Sequence, residues 1–240
     1  MPSIALRSRL QTEIREFLKL AIPLASAQVA QSATGFADTI MMGRMGADVL
    51  AAHQVVFQTI VVVFRMPLGV SFATTVRVGQ WLGRRDLMGI QRSTWVSLSL
   101  TSLFMLMGSI AFLLFPNQIL GIYLDVQNPD NAPIVTIALP LLFIAAIAQV
   151  LDGIQKAVYG ALQGLQDTQV PTMLNVLGFW GVGLSVGYGL GFYLKLGSVG
   201  LWIGQSVAIA VVAGLFFWRF RQLITQRKLQ RSHDLENSET

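Results

Sequence analysis

Residues 65–86 read RMPLGVSFATTVRVGQWLGRRD. Arg65 stands in the middle of an apolar run, where water is scarce. Pro67 and Gly69 follow and are expected to loosen a helix. Gly79 and Gly83 then allow close backbone contact just before the basic pair Arg84 and Arg85. A helix in water has no use for this order of features. A helix that crosses a membrane, bends, and ends at a basic cytoplasmic edge does.

The rest of the chain agrees with that reading. Its 240 residues are 53% hydrophobic and only 12% charged, and the mean hydropathy is +0.59. These values lie outside the range of soluble globular proteins. Crossing about 30 Å of hydrocarbon takes roughly 20 apolar residues in a helix, so there is room for about six spans. The net charge of +5 does not point to nucleic acid, because the basic residues lie between and beside apolar runs, which is how topology is set. No cysteine is present, so disulfides and thiolate metal sites are excluded. His53 and His233 are far apart and unaccompanied, which speaks against a metal site. The N-terminus runs from a polar stretch straight into a long apolar one, with no small-residue cleavage site. That reads as mature protein rather than a signal peptide.

Taken in order, residues 1–16 form a cytoplasmic segment. Leu10, Ile14 and Phe17 recur at helical spacing, as in a surface-lying amphipathic helix or a simple lead-in to the first span. Residues 17–218 form the transmembrane domain, with spans expected at about 17–42, 50–82, 93–115, 133–160, 172–194 and 198–218. GRMGAD (43–48) and GALQGLQDTQVP (160–171) read as turns. Residues 219–240 read as a polar cytoplasmic tail, expected to be disordered. The predicted fold class is an all-α membrane protein, a bundle of six transmembrane helices.

Orientation follows from the placement of Lys and Arg. The N-terminus, the 83–92 turn and the 219–231 segment hold most of them, and the 116–132 loop holds none. An even number of spans puts both termini on one side. Parity and charge together place both in the cytoplasm and the 116–132 loop outside.

Two carboxylates stand within apolar helices. A charged group at the centre of a membrane helix costs about 2.5–3.5 kcal/mol, less near an end, so something must offset it. Asp38 lies toward the outer end of the first span, where it can hold a proton or a sodium ion, pair with Arg44, or sit solvated among headgroups. Asp152 lies deeper, past the middle of the fourth span. Lys156 is four residues on and shares its face, so a self-neutralised pair is the alternative to an ion site. Tyr159 follows one turn later. Gln28, Gln31, Thr34 and Asp38 give the first span a polar stripe. Arg65 has no acid within reach on its own helix, so its expected partner is Asp38, Asp152 or a backbone carbonyl at a kink. Gly183, Gly187 and Gly191 are spaced by four, which suits close packing of membrane helices. The GxGxxG order of a dinucleotide site is missing there. No P-loop and no Ser/His/Asp set is recognisable, so no enzymatic activity is expected.

Three stretches carry a resemblance. LAAHQVVFQTIVVVFRMPLGVSFATTVRVGQWLGRRD (50–86) resembles the eighth-helix region of multidrug and toxic compound extrusion (MATE) transporters. YGALQGLQDTQVPTMLNVLGFWGVGLSVGYGLGF (159–192) and GSVGLWIGQSVAIAVVAGLFFWRFRQL (197–223) resemble the tenth-to-eleventh and last helices of that family. The resemblance covers about residues 13–223. It implies export of small, amphipathic, cationic drugs and toxins in exchange for Na+ or H+, with no cofactor. It also implies twelve helices in two six-helix lobes. Asp152 matches the acidic cation-site residue of the family's tenth helix. Asp38, in GFADTIMMG, matches the acidic residue of its first.

The chain departs from that pattern in two ways. It carries one lobe's worth of helices, and it joins a first-lobe-like opening helix to second-lobe-like spans, with Gln31 near the place of a glutamate. Such a chain would be an in-frame fusion of lobe segments or a half-sized relative. The leading expectation is a cation-coupled multidrug efflux antiporter in the plasma (inner) membrane, acting as a homodimer or with a companion half. Two copies would face each other across a cleft lined by Gln28, Gln31, Thr34, Asp38, Arg65 and Asp152. A non-transporting remnant, or a flippase for lipid or polysaccharide precursors on the same broader fold, is the alternative. The intramembrane charges, Arg65 and Lys156 against Asp38 and Asp152, do not favour an anionic cargo.

Overall fold

The computed structural model describes residues 2–239, with side chains described at 10, 11, 13–19, 21, 22, 25, 26, 29, 30 and 32–229. It is helical from end to end. The helices are α1 (Pro2–Met45), α2 (Ala47–Gly83), α3 (Leu87–Leu114), the short α4 (Pro116–Leu120) and α5 (Ala132–Gly164), which a 3-10 turn at Pro129–Asn131 leads into. The next span, Gln169–Tyr193, is composite. It joins α6 (Gln169–Val176) and α7 (Leu184–Tyr188) through π-helical segments at Leu177–Gly183 and Gly189–Tyr193. The last helix is α8 (Gly197–Glu239).

Among the described residues, five stretches are long and apolar enough to cross a membrane: Ala47–Gly83, Leu87–Leu114, Pro129–Gly164, Gln169–Tyr193 and Gly197–Leu229. The first expected span, 17–42, lies wholly inside α1. The bundle is therefore five membrane-length apolar helices together with α1. Residues 10–19 are continuous with that helix rather than a separate surface element, and Leu10, Ile14 and Phe17 are exposed.

The other end also differs from expectation. The last helix does not stop at 218. Phe220 and Ile224 are buried in the same core as Val78, Ile90, Leu162 and Phe216, so apolar burial carries the helix on past 218. Nor does Pro67 break α2, which runs uninterrupted through it.

α5 is the central element, with α2, α3 and α8 packed around it. Small residues set the closest approaches. A Cβ on Gly164 would meet the Thr75 carbonyl oxygen at 2.7 Å, and the Thr75 hydroxyl donates to the Gly160 carbonyl at 3.0 Å. The expected glycine face finds its partner on α8. Gly187 and Gly191 lie against Gly204 and Gly200 so closely that a Cβ on either α8 glycine would overlap the facing backbone. Without a hydrophobic force between helices in lipid, such backbone approach is a main source of association.

Single residues make the turns. Gly46, at φ 129°, is all that separates α1 from α2, in a region only glycine visits readily. Arg85, Gln166 and Lys195 take φ values of 54°, 65° and 55° in the turns that follow α2, α5 and the composite span. In the first two turns the next residue donates back into the helix end, Asp86 N–H to the Trp81 carbonyl and Asp167 N–H to that of Leu162, each at 3.0 Å.

Candidate functional site

The two core clusters leave a gap along the middle of α5. One cluster holds Val158, Leu162 and Phe216, the other Ala52, Val56, Leu141 and Leu142. At their junction is a cavity of about 680 Å³, walled by α1, α2, α5, the first π-helical segment and α8. The π-helical stretch contributes Phe179 to the wall. Next to it, Trp180 donates through Nε1 to the Ala30 carbonyl at 3.2 Å, tying this span to α1.

Both intramembrane acids open onto this cavity. Gln205 Nε2, on α8, donates to Asp38 Oδ1 at 3.0 Å. Asp152 is half-buried and accepts no hydrogen bond from any described residue. Thr34 and Thr39 also line the space. Their hydroxyls donate to Ala30 and Gly35 of their own helix at 3.0 and 2.9 Å, which leaves oxygen lone pairs for a guest.

The alternative at Asp152, an ion pair with Lys156, is not formed. Among the described residues the ion pairs are Lys19–Glu16 and Arg219–Asp167. The longer Lys156 side chain, 6% exposed, instead reaches α2 and holds its ammonium 4.9 Å from the centre of the Phe64 ring. Lys156 is thus behind Phe64 of the cavity wall and does not line the space itself. Neither does Tyr159, because its ring stacks on Phe216 at 5.5 Å within the core.

Arg65 is likewise elsewhere. It is exposed on α2, one turn beyond Val61 of the cavity wall, and among the described residues it is in an ion pair with neither Asp38 nor Asp152. Gln28 and Gln31 lie outside the residues whose side chains are described. Within this chain Asp38, Asp152 and Thr34 line one space, and Thr34 is buried in its wall.

The cavity also gathers residues that sequence reasoning passed over. His53 and Gln149 are only 4% and 3% exposed. His53 Nδ1, both amide atoms of Gln149, and Trp202 Nε1 have no hydrogen-bond partner. His53 stacks on Phe57 and meets Trp202 edge-on, both at 5.7 Å between ring centres. Each orphaned polar atom costs about 1–3 kcal/mol when nothing satisfies it. A space walled by two carboxylates and two threonine hydroxyls is shaped for a guest that forms hydrogen bonds, carries positive charge, or both.

One signal for Gln149 was legible. It stands three residues before Asp152, on the same face of the most apolar span. Gln205, His53 and Trp202 reach the site through helix register, which no local pattern displays.

The MatE family model matches residues 23–189. A probable multidrug resistance protein NorM from Synechococcus sp. is 47% identical over 224 residues, covering 93% of this chain and 48% of that protein. The multidrug resistance protein NorM of Burkholderia vietnamiensis is 38% identical over 205 residues, covering 85% and 44%. The crystal structure of a MATE protein in its bent conformation has the same fold, with a TM-score of 0.83 at 18% identity over 91% of this chain and 47% of that one. An inward-facing MATE family transporter gives 0.78 at 20% identity over 90% and 49%. The chain spans about half the length of the curated relatives it matches.

Proposed function

The chain belongs to the MatE family, and from that premise we propose that it forms one lobe of a cation-coupled multidrug efflux antiporter of the MATE type. The observation that carries this reading is the shared cavity. Asp38 and Asp152, on two different helices, open onto one space whose wall also holds His53, Gln149 and Trp202.

A carboxylate in a poorly hydrated cavity needs a positive companion. A proton or Na+ supplies it from one side of the membrane, and an amphipathic cationic drug supplies it from the other. Occupancy by one opposes occupancy by the other, so the gradient that loads the ion drives the drug out. The apolar wall of the cavity (Phe36, Phe57, Ile60, Phe64, Phe179) suits the hydrophobic part of such a substrate. The chain works as a transporter component rather than an enzyme, with both termini cytoplasmic and the spans in the plasma (inner) membrane.

A second lobe, from another copy or a companion half, completes the pathway. Arg65 supports this. It stands at the middle of membrane-length α2, exposed and without an ion-pair partner among the described residues. Facing lipid there would cost about 2.5–3.5 kcal/mol, a cost that a protein partner or a water-filled cleft removes.

Two measurements test the reading. The chain, expressed in cells stripped of their own efflux pumps, should raise resistance to a cationic dye. Because the chain has no cysteine, Gly69→Cys is a clean reporter of the partner lobe. Gly69 lies one turn beyond Arg65, exposed, with nothing within 4 Å of a Cβ placed there. Crosslinking of this variant in native membranes supports a homodimer. A monomer with no crosslink and no resistance would favour a non-transporting remnant.

A further inference from the structure

Away from the central cavity, a second cleft of about 410 Å³ runs between α2 and α3, beside the turn that joins them. Its two ends differ in chemistry. Arg77, Arg92, Trp81 and Ser93 line the end near the turn, and Val70, Val96 and Leu100 line the end toward the middle of the helices. The seven residues from Val70 to Arg77 span about 10 Å at the helical rise. The cleft therefore runs from headgroup level down along the hydrocarbon.

The polar end is built and uncompensated. Arg77 and Arg84 hold their guanidinium carbons 5.6 and 5.2 Å from the centre of the Trp81 ring. Gly89 makes room for that ring, since a Cβ there would lie within 2.8 Å of its atoms. Among the described residues, none of Arg77, Arg84 and Arg92 is in an ion pair. The acid of the same turn, Asp86, is occupied in capping α3 through the Gly89 N–H at 3.0 Å. Deeper in, the Thr74 and Ser97 hydroxyls bond to each other across the two helices.

We propose that this cleft binds one anionic phospholipid. Its phosphate sits between Arg77 and Arg92, with Ser93 as a further donor, and its first acyl carbons lie along Val70, Val96 and Leu100. The complementarity is twofold: unpaired positive charge at headgroup level, and an apolar slot directly below it. The bound lipid would clamp α2 to α3 at the membrane surface. This site does not depend on the transport reading, because its ligand is a component of the bilayer.

The test is native mass spectrometry of the full chain, delipidated in neutral detergent and given phosphatidylglycerol or phosphatidylcholine with identical acyl chains. One phosphatidylglycerol per chain should be retained in preference to phosphatidylcholine. Arg77→Gln with Arg92→Gln should weaken its retention about thirtyfold, the equivalent of about 1 kcal/mol for each arginine removed. Val96→Trp fills the slot while leaving both charges, and should also lower retention. Arg221→Gln with Lys228→Gln, which removes exposed charge from α8, should change nothing. Equal retention of the two lipids, or no response to the Arg77/Arg92 change in protein of unaltered helical content, would overturn the proposal. Displacement of the lipid by inorganic phosphate at equal concentration would also overturn it, in favour of a simple anion site.

Discussion

Gln205 on α8 donates a hydrogen bond to Asp38 on α1 at 3.0 Å, joining two helices 167 positions apart in the chain. The bond fixes the Asp38 carboxylate at the cavity wall and ties α1 to α8. Gln205→Leu should therefore lower stability by roughly 1.5–3 kcal/mol, the value of a hydrogen bond to a charged group. Asp38→Asn keeps an acceptor oxygen and should unfold close to wild type. Thermal unfolding in detergent compares the two. Equal losses for both would mean that the bond does not anchor α1.

The α7–α8 seam is expected to be intolerant of added volume. A Cβ on Gly204 would overlap the Gly187 backbone, whereas one on Gly214 meets nothing within 4 Å. Gly204→Val should cost about 1–3 kcal/mol or more, because neither backbone can retreat far. Gly214→Ala should be neutral or slightly stabilising, by up to about 1 kcal/mol, through helix propensity. Melting curves of the two variants should move in opposite directions or one not at all.

Asp167, in the turn after α5, meets Arg219 of α8 at 2.7 Å, with side chains 12% and 21% exposed. This pair ties the middle of α8 to the turn after α5, beside the buried Phe220 and Ile224. Either Asp167→Asn or Arg219→Gln should destabilise by roughly 1.5–3 kcal/mol. A double-mutant cycle checks the pairing: the double variant should cost much less than the sum of the two singles.

The orientation inferred from Lys and Arg placement has a direct check. Reporter fusions at Asp125, in the loop without basic residues, and at the C-terminus should report opposite sides of the membrane. A common side for both would reverse or break the assignment.

Much of this architecture was legible in the sequence because lipid imposes it. Apolar runs of membrane length must be helical, and the glycines at 183, 187 and 191 had to meet another backbone. Asp38 and Asp152 stood out for the same reason, as charges in an apolar setting. What could not be read was direction. Lys156 is four residues from Asp152, yet it reaches across to Phe64. Arg65 lies in the middle of its helix, one turn beyond Val61 of the cavity wall, yet it is exposed rather than paired with either acid. His53, without a second ligand nearby in sequence, looked incidental until helix register set it against Trp202 in the wall of the cavity. The end of α8 misled because Arg219 and Arg221 mark a membrane boundary, while Phe220 and Ile224 between and beyond them still find a core.

The central claim is that the cavity of Asp38 and Asp152 couples an ion gradient to drug export. It is tested most directly by measuring cationic dye efflux under an imposed Na+ or H+ gradient, with wild type and Asp152→Asn at matched membrane levels. Asp152→Asn keeps the side-chain volume and removes the charge. Wild type should export the dye only when one of the two gradients is present, and Asp152→Asn should abolish that export while inserting normally. Unchanged export by Asp152→Asn, or no gradient-dependent export by wild type alone or with a companion half, would contradict the account.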